Sequence, residues 1–522
     1  MSFREEAALE AAGLLGEAAD EDRLRRLKAE LSKKWSLAGA LRNSEILAAL
    51  PEWKKTKRLL ALLKKRPVRT ISGVAPVAVM SLSDCPHGRC SYCPRGEGAP
   101  NAYTGFEPAT MRGRQYGFDA FAQARARIAQ LEAIGHATDK IELIIQGGTF
   151  PWMAEEYKRA FIKRCFDALN EDEEGADSVE AAQEKNERAR HRCVGLTIET
   201  RPDWCRRQHI DEFLAWGTTR VELGVQVLSD AIYRKVNRGH SVKAVVDATR
   251  ALKDSGLKVL YHMMPGLWQG AAEDVEDFRR LFEDERFKPD MLKIYPCLVL
   301  EGTRLYEEWR RGEFKPYDTE EAVEVISEAM RFVPPWCRVM RITRDIPERL
   351  IVAGVKKNNL RQLVEERMRA KGFACRCIRC REAGLRRLKQ GVDLKLEKAK
   401  LKRIEYAASG GEEAFLSFED EESDVLYAFL RLRLPAEPHR KELRGASVVR
   451  ELHVYGKALG LGKREEGEAQ HAGFGSRLLE EAERISSAWG VRKMAVMSGV
   501  GVREYYFERG FKRDGPYVSK EI

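Results

Sequence analysis

Three cysteines stand within nine residues, Cys85-Pro-His-Gly-Arg-Cys90-Ser-Tyr-Cys93, in a chain of 522 residues with 11 cysteines in all. The x-x spacing of the last pair lets both sulfurs face one centre. No apolar run is long enough for a signal peptide or a membrane span, so a cytosolic (cytoplasmic) protein is expected. In that reducing compartment, clustered thiols bind metal more often than they pair as disulfides. Three thiolates suit a 4Fe–4S cluster with one iron lacking a protein ligand, where a substrate or cofactor can bind. A structural zinc knuckle short of a ligand is the plainer alternative.

A second trio, Cys375-Arg-Cys377-Ile-Arg-Cys380, suggests zinc. A structural tetrahedral site needs four ligands. Only three are local, so Cys337 or a histidine is a candidate for the fourth; unliganded thiols are the alternative. Arg376, Arg379 and Arg381 alternate with these thiols and could touch phosphate. Glycines mark two further places. Gly147-Gly148 follows an apolar run and offers bare backbone to a ligand. Gln470-x-x-Gly473-x-Gly475 precedes an amphipathic helix whose Leu478, Leu479, Ala482, Ile485, Ala488 and Trp489 share a face, ended by Gly490. Glycines before a helix N-terminus suit a pyrophosphate; an ordinary turn is the alternative.

The positioning elements come from periodicity. Strand-like runs at 74–80, 141–145, 194–198, 221–225, 259–263, 291–295 and 338–342 alternate with helical stretches at 120–134, 155–169, 242–254 and 319–332. Such alternation predicts an α/β fold with a mostly parallel sheet, here a partial barrel. In parallel barrels the chemistry lies at the C-terminal strand ends. Gly147-Gly148, Glu199-Thr-Arg201 and His262 all follow strand runs directly. The charged residues 170–192 read as a surface insertion. Residues 400–522 read as a second α/β unit, with strands at 414–419, 425–433, 447–455, 493–497 and 510–513.

Length predicts two to four domains. Lys+Arg 91 against Asp+Glu 81 gives +10, a modest excess. Much of it lies before residue 70, from Arg23, Arg25 and Arg26 through Lys54, Lys55 and Arg58 to Arg69, among leucines at helical spacing. The segment is a candidate binder of a phosphate backbone, with a solvated amphipathic helix as the alternative. The expected boundaries are 1–72, a basic helical region; 73–365, the barrel; 366–400, a zinc-binding linker; and 401–522, the second α/β unit.

Several motifs occur in a fixed order: the first cysteine trio, Tyr103-Thr-Gly-Phe-Glu-Pro108, Asp139-Lys140 running to Gly147-Gly148-Thr-Phe150, Glu199-Thr-Arg201-Pro-Asp203 and His262-Met-Met-Pro-Gly266. Arg450-Glu451-Leu452-His453-Val-Tyr-Gly456 and Gln470-His-Ala-Gly473-Phe474-Gly475 complete the set. Over residues 70–522 the chain resembles the catalytic subunit of Elongator, of the archaeal and bacterial type. That resemblance implies a radical S-adenosylmethionine (radical SAM) half-barrel followed by a GNAT-like acetyltransferase domain. It implies S-adenosylmethionine near Gly147, Gly148, Glu199, Arg201 and His262, with Cys85, Cys90 and Cys93 on the cluster. It implies acetyl-CoA along Arg450, Glu451, Leu452 and His453 and in the cradle of Gln470, Gly473, Phe474 and Gly475. Tyr505 and Tyr506 would lie near the thioester, and Lys140 would reach it from the barrel. Zinc would sit on Cys375, Cys377 and Cys380, and the basic N-terminal region would contact tRNA.

The implied reaction is carboxymethylation at C5 of the wobble uridine: an adenosyl radical activates the acetyl-CoA methyl group, and thioester hydrolysis follows. An electron-donor protein and a homodimer are further expected partners. One departure is Arg95, where the family has glycine, which puts a side chain next to the cluster. Two competing readings are a protein lysine acetyltransferase, with Glu451 as its base and a structural cluster, and a non-enzymatic tRNA scaffold.

Overall fold

Apolar strands separated by amphipathic helices can hide both faces only by lying parallel beneath those helices. The computed structural model, which describes residues 2–16, 18–63, 67–455 and 473–522, has this arrangement. The strands of the first unit are β1 (Ala75–Met80), β2 (Lys140–Gln146), β3 (Arg192–Thr200), β4 (Arg220–Gln226), β5 (Lys258–Met263), β6 (Met291–Ile294), β7 (Val299–Leu300), β8 (Arg338–Ile342) and β9 (Ile351–Ala353). Seven form one parallel sheet in the order β1-β2-β3-β4-β5-β6-β8, while β7 and β9 pair with each other. β1 and β8 do not pair. The barrel is therefore a half-barrel, open along one side.

The second unit holds β10 (Lys400–Ala408), β11 (Gly411–Asp420), β12 (Val425–Leu434), β13 (Ala446–Val454), β14 (Lys493–Val496), β15 (Lys512–Asp514) and β16 (Tyr517–Glu521). Their order is β10-β11-β12-β13-β14-β16-β15, and only the β13–β14 pairing is parallel. β14 pairs with Ala446–Val449 alone. Past Val449 the two strands separate, leaving one edge of the rest of β13 without a strand partner among the described residues. β10 has no counterpart among the strands expected from sequence, because its lysines and arginines alternate with apolar residues and look like a solvated run. It is an edge strand, where charge on the outer face is ordinary.

Both sheets contribute to one hydrophobic core, while the N-terminal helices build a small core of their own from Ala7, Leu24, Leu27, Ile46 and Leu59 among others. A buried ionic network ties the sheets together. Arg450 of β13 binds Asp290, just before β6, at 2.5 Å and Glu413 of β11 at 2.9 Å. Lys253 reaches Glu413 at 2.9 Å, and Arg433 reaches Glu413 at 3.0 Å and Asp254 at 2.6 Å. Burial alone would raise these carboxyls. Arg450 and Lys253 outweigh it, holding Asp290 far below the usual range and Glu413 down at about 2.

Residues 170–192 are more than the expected surface insertion. Their helix Val179–Asn186 buries Val179, Ala182 and Asn186, and Glu187 just after it pairs with Arg503 at 2.8 Å and Arg513 at 2.9 Å across the junction. No helix among the described residues is long and apolar enough to cross a membrane.

Candidate functional site

The C-terminal strand ends open into a cavity of about 1060 Å³ lined by Cys85, Cys90 and Cys93 together with Gly147, Gly148, Glu199, Arg201 and His262. Residues far apart in sequence thus meet because they lie at or just past the C-terminal ends of neighbouring parallel strands. The cysteine loop is held from several sides. Thr149 Oγ1 donates to Cys85 Sγ at 3.3 Å, Arg238 Nη1 donates to Cys90 Sγ at 3.6 Å, and His87 Nε2 lies 3.3 Å from the same sulfur. The backbone N–H of Gly148 donates to Ser83 O and Oγ. A Cβ on Gly147 would lie 2.2 Å from Ser83 Oγ, and one on Gly148 would lie 2.5 Å from Ser83 O. No side chain fits at either position, so the backbone itself forms that wall.

Deeper in the barrel lies a charged cluster. Glu222 of β4 accepts from His262 Nε2 at 2.8 Å and from Lys293 of β6. Lys293 also lies 3.4 Å from Glu199, which accepts from Tyr103 OH at 2.9 Å and Gln146 Nε2 at 3.2 Å. Burial opposes each charge, yet Lys293 with His262 and Arg220 holds Glu222 low, and Glu222 with Tyr295 and Glu199 holds Lys293 high. Glu199, Glu222 and His262 converge closely enough to ligate a metal, but Lys293 already supplies the cation.

Buried polar atoms without a partner line the same cavity: Arg201 Nη1, Gln226 Oε1, Arg238 Nε and His87 Nδ1. Three thiols with donors on two of them, side-chain-free glycine backbone and unspent polar atoms fit a cluster and a polar cofactor bound together. Arg95 departs from expectation. It is exposed and pairs with Asp84 at 3.4 Å, so its side chain turns to solvent instead of into the cavity. Sequence reasoning missed Tyr103, Glu222, Arg238 and Lys293 as parts of this site. The signal for two of them was a charge at alternate positions in otherwise apolar strands.

Lys140 stands at the opposite end of β2 from Gly147, roughly 20 Å away at ~3.3 Å per residue. It lies beside Arg192, at the end of the barrel on which the second sheet packs. The turn after β14 presses there: ideal Cβ atoms on Gly499 and Gly501 would lie 2.2 Å from Val194 O and 2.4 Å from Arg192 Cβ. His453 Nε2 meets Ser72 O at 3.1 Å from the same side.

On the second sheet, the helix Phe474–Ala488 starts from Gly473 in the left-handed region, φ +70. Tyr505 OH lies over its first turn, 2.6 Å from where a Cβ on Gly475 would be. Tyr506 is buried edge-on against Tyr505 and Phe511. Two expected cofactor contacts have side chains committed elsewhere: Arg450 to the buried network, and Phe474 to a stack on Phe418 at 4.5 Å. Only their backbones are left to meet a cofactor. Glu451 is bound by Arg431 at 2.9 Å, and Leu452 packs on the core. Gln470 lies outside the described residues.

The thiols of Cys375, Cys377 and Cys380 lie within 4.8 Å of one another. Hydrogen bonds from its two neighbours make Cys377 the readiest to ionise. Among the described residues no fourth ligand completes the group. Cys337 is buried near Cys377, and its carbonyl accepts from Ile378 N at 2.9 Å.

Three family models match in sequence: an ELP3 N-terminal domain over residues 9–71, the radical SAM superfamily over 80–282, and a radical SAM C-terminal domain over 289–370. The tRNA uridine(34) acetyltransferase of Methanocaldococcus infernus is 53% identical over 518 residues, covering 97% of this chain and 96% of that protein. Elongator complex protein 3 of Drosophila melanogaster is 43% identical over 521 residues, covering 97% and 94%. The solved structure of archaeal Methanocaldococcus infernus Elp3, lacking residues 1–46, superposes with a TM-score of 0.78 at 51% identity, covering 87% of this chain and 100% of that one. With likeness of this extent added to a half-barrel that gathers three cysteines at its open mouth, the chain belongs to the radical SAM family of Elongator complex protein 3.

Proposed function

We propose that the chain carboxymethylates C5 of the wobble uridine in tRNA, drawing the new carbon unit from acetyl-CoA. The observation that carries this reading is the single cavity shared by Cys85, Cys90 and Cys93 with Gly147, Gly148, Glu199, Arg201 and His262. The name of the archaeal relatives, tRNA uridine(34) acetyltransferases, supports the substrate. Cys85, Cys90 and Cys93 would hold a 4Fe–4S cluster which, with S-adenosylmethionine, supplies a carbon-centred radical. Gly147 and Gly148 offer a side-chain-free backbone wall to the cofactor's methionine end, the Gly148 N–H itself being held by Ser83, and Arg201 and Gln226 offer their unpaired atoms. Lys293, Glu222 and His262 fix a charged floor that does not reorganise, which is how preorganised sites favour a polar transition state.

The free edge of β13 and the first turn of the Phe474–Ala488 helix, under Tyr505, form the acetyl-CoA side, with Lys140 at the facing end of the barrel. Cys375, Cys377 and Cys380 would hold zinc in the 366–400 linker, and the boundaries at 72, 365 and 400 stand as part of the proposal. Nothing in the geometry favours a protein lysine acetyltransferase: its candidate base Glu451 is neutralised by Arg431. The test is anaerobic incubation of iron-reconstituted protein with tRNA, acetyl-CoA, S-adenosylmethionine and a reductant, followed by mass spectrometry of the nucleosides. We expect 5-carboxymethyluridine, lost in Cys85→Ala. Unmodified uridine from cluster-loaded protein would sink the proposal.

A further inference from the structure

The cavity does not stop at the cysteines. It runs along the gap between β1 and β8, where its β1 side is lined by Arg69, Arg112 and Arg127 with Gln115, Tyr116 and Gln130. Arg112 Nη2 caps Ala78 O on the unpaired edge of β1, while its Nε is buried without a partner. Arg127 Nη1 donates to Gln130 at 2.6 Å. Among the described residues neither Arg112 nor Arg127 has a carboxylate partner. Burial lowers both, and repulsion from Arg112 and Arg69 adds to it at Arg127, which falls to about 10. The far wall differs, because Arg341 pairs with Asp345 and Arg344 donates to Ala102 O beside the Tyr295 ring.

Two half-buried guanidiniums, Arg112 and Arg127, that repel each other and among the described residues lack an acid call for an external anion. Planar forks with permanent charge match phosphate oxygens two at a time. We propose that Arg112 and Arg127, with Arg69 beside them, bind a phosphodiester of the RNA strand next to the target nucleotide. This rests on the cavity being the RNA site. A base acted on by an enzyme must leave its stack and enter a pocket, and its flanking phosphates then come to the pocket's side opening. The volume of about 1060 Å³ is at the top of the range of about 300–1,000 Å³ for single small ligands, leaving room for a nucleotide beside a cofactor. The phosphates of coenzyme A are the other source of such an anion. Among the described residues none beyond Ile346 lines the cavity, so the Gly473 cradle lies outside it.

The test measures binding of an anticodon stem-loop RNA and, separately, of acetyl-CoA to the full chain, over a salt series. The variants are Arg127→Gln, Arg112→Gln and Gln130→Glu. The last puts a carboxylate on an exposed residue that Arg127 already touches, so it competes with phosphate at little risk to folding. Each variant is expected to weaken RNA binding about tenfold, as for one charge-assisted hydrogen bond. Each should also reduce the slope of log K against log salt by about 0.7 for every phosphate no longer neutralised, with acetyl-CoA binding unchanged. Wild-type RNA affinity and slope in Gln130→Glu and Arg127→Gln would overturn the proposal. Weakened acetyl-CoA binding with intact RNA binding would overturn it in favour of the coenzyme. No RNA binding by the wild-type chain would instead defeat the RNA reading of the site, and this inference with it.

Discussion

At the scale of single residues, Lys293 decides what the barrel interior can be. Glu199, Glu222 and His262 are a ligand set that could take a divalent ion, and the ammonium of Lys293 stands between the two carboxylates instead. Glu222 is fully buried, so removing its cation leaves a charge with neither water nor a full set of partners. Lys293→Met is expected to cost about 3–5 kcal/mol, the range for breaking a buried pair. The double variant Lys293→Met, Glu222→Gln is expected to recover most of that. Urea unfolding followed by circular dichroism measures both; a single variant that unfolds at the wild-type midpoint would refute the pairing.

At the scale of elements, the junction depends on close backbone approach. The turn after β14 enters against β3 so tightly that a methyl group on Gly499 would sit 2.2 Å from a backbone carbonyl, which cannot rotate away. Gly499→Ala is therefore expected to destabilise by about 1–3 kcal/mol, as overpacked sites do. The strain should appear locally, as faster limited proteolysis between β14 and β15 and a lower Tm. Proteolysis at the wild-type rate would show that the turn is free to shift. Gly473 is a different case, since it sits at φ +70 and among the described residues nothing lies within 4 Å of where its Cβ would be; there glycine serves the helix start.

At the scale of the whole molecule, the barrel and the second sheet share one core and one buried ionic network, so they are expected to unfold in a single transition. The network also sets the acid limit. Glu413 is depressed from 4.5 to about 2, and Asp290 is depressed further. Folding therefore favours the ionised carboxylates. Their contribution is full above the unfolded value of 4.5 and is lost as pH falls towards the folded values. Calorimetry should show a Tm that holds down to about pH 5 and drops steeply below 4.5. Two resolved transitions at neutral pH, one per sheet, would contradict the shared core.

The thiol trios, the glycine pairs and the strand–helix alternation were legible without coordinates, because they are local properties of a sequence. The first sheet also followed from pattern, since buried parallel strands read as apolar runs. What the sequence could not decide was where committed side chains point. Arg450 and Phe474 belong to motifs expected to meet a cofactor, and folding commits their side chains to the junction and the core. Arg95 stands two residues past Cys93 and turns outward. Lys293 and Arg127 carry no motif at all; only the curling of the sheet gives Lys293 its carboxylates and, among the described residues, leaves Arg127 without one. A charge acquires its meaning from partners far away in sequence, 71 residues for Lys293 and Glu222 and 160 for Arg450 and Asp290, and those partners are fixed by packing.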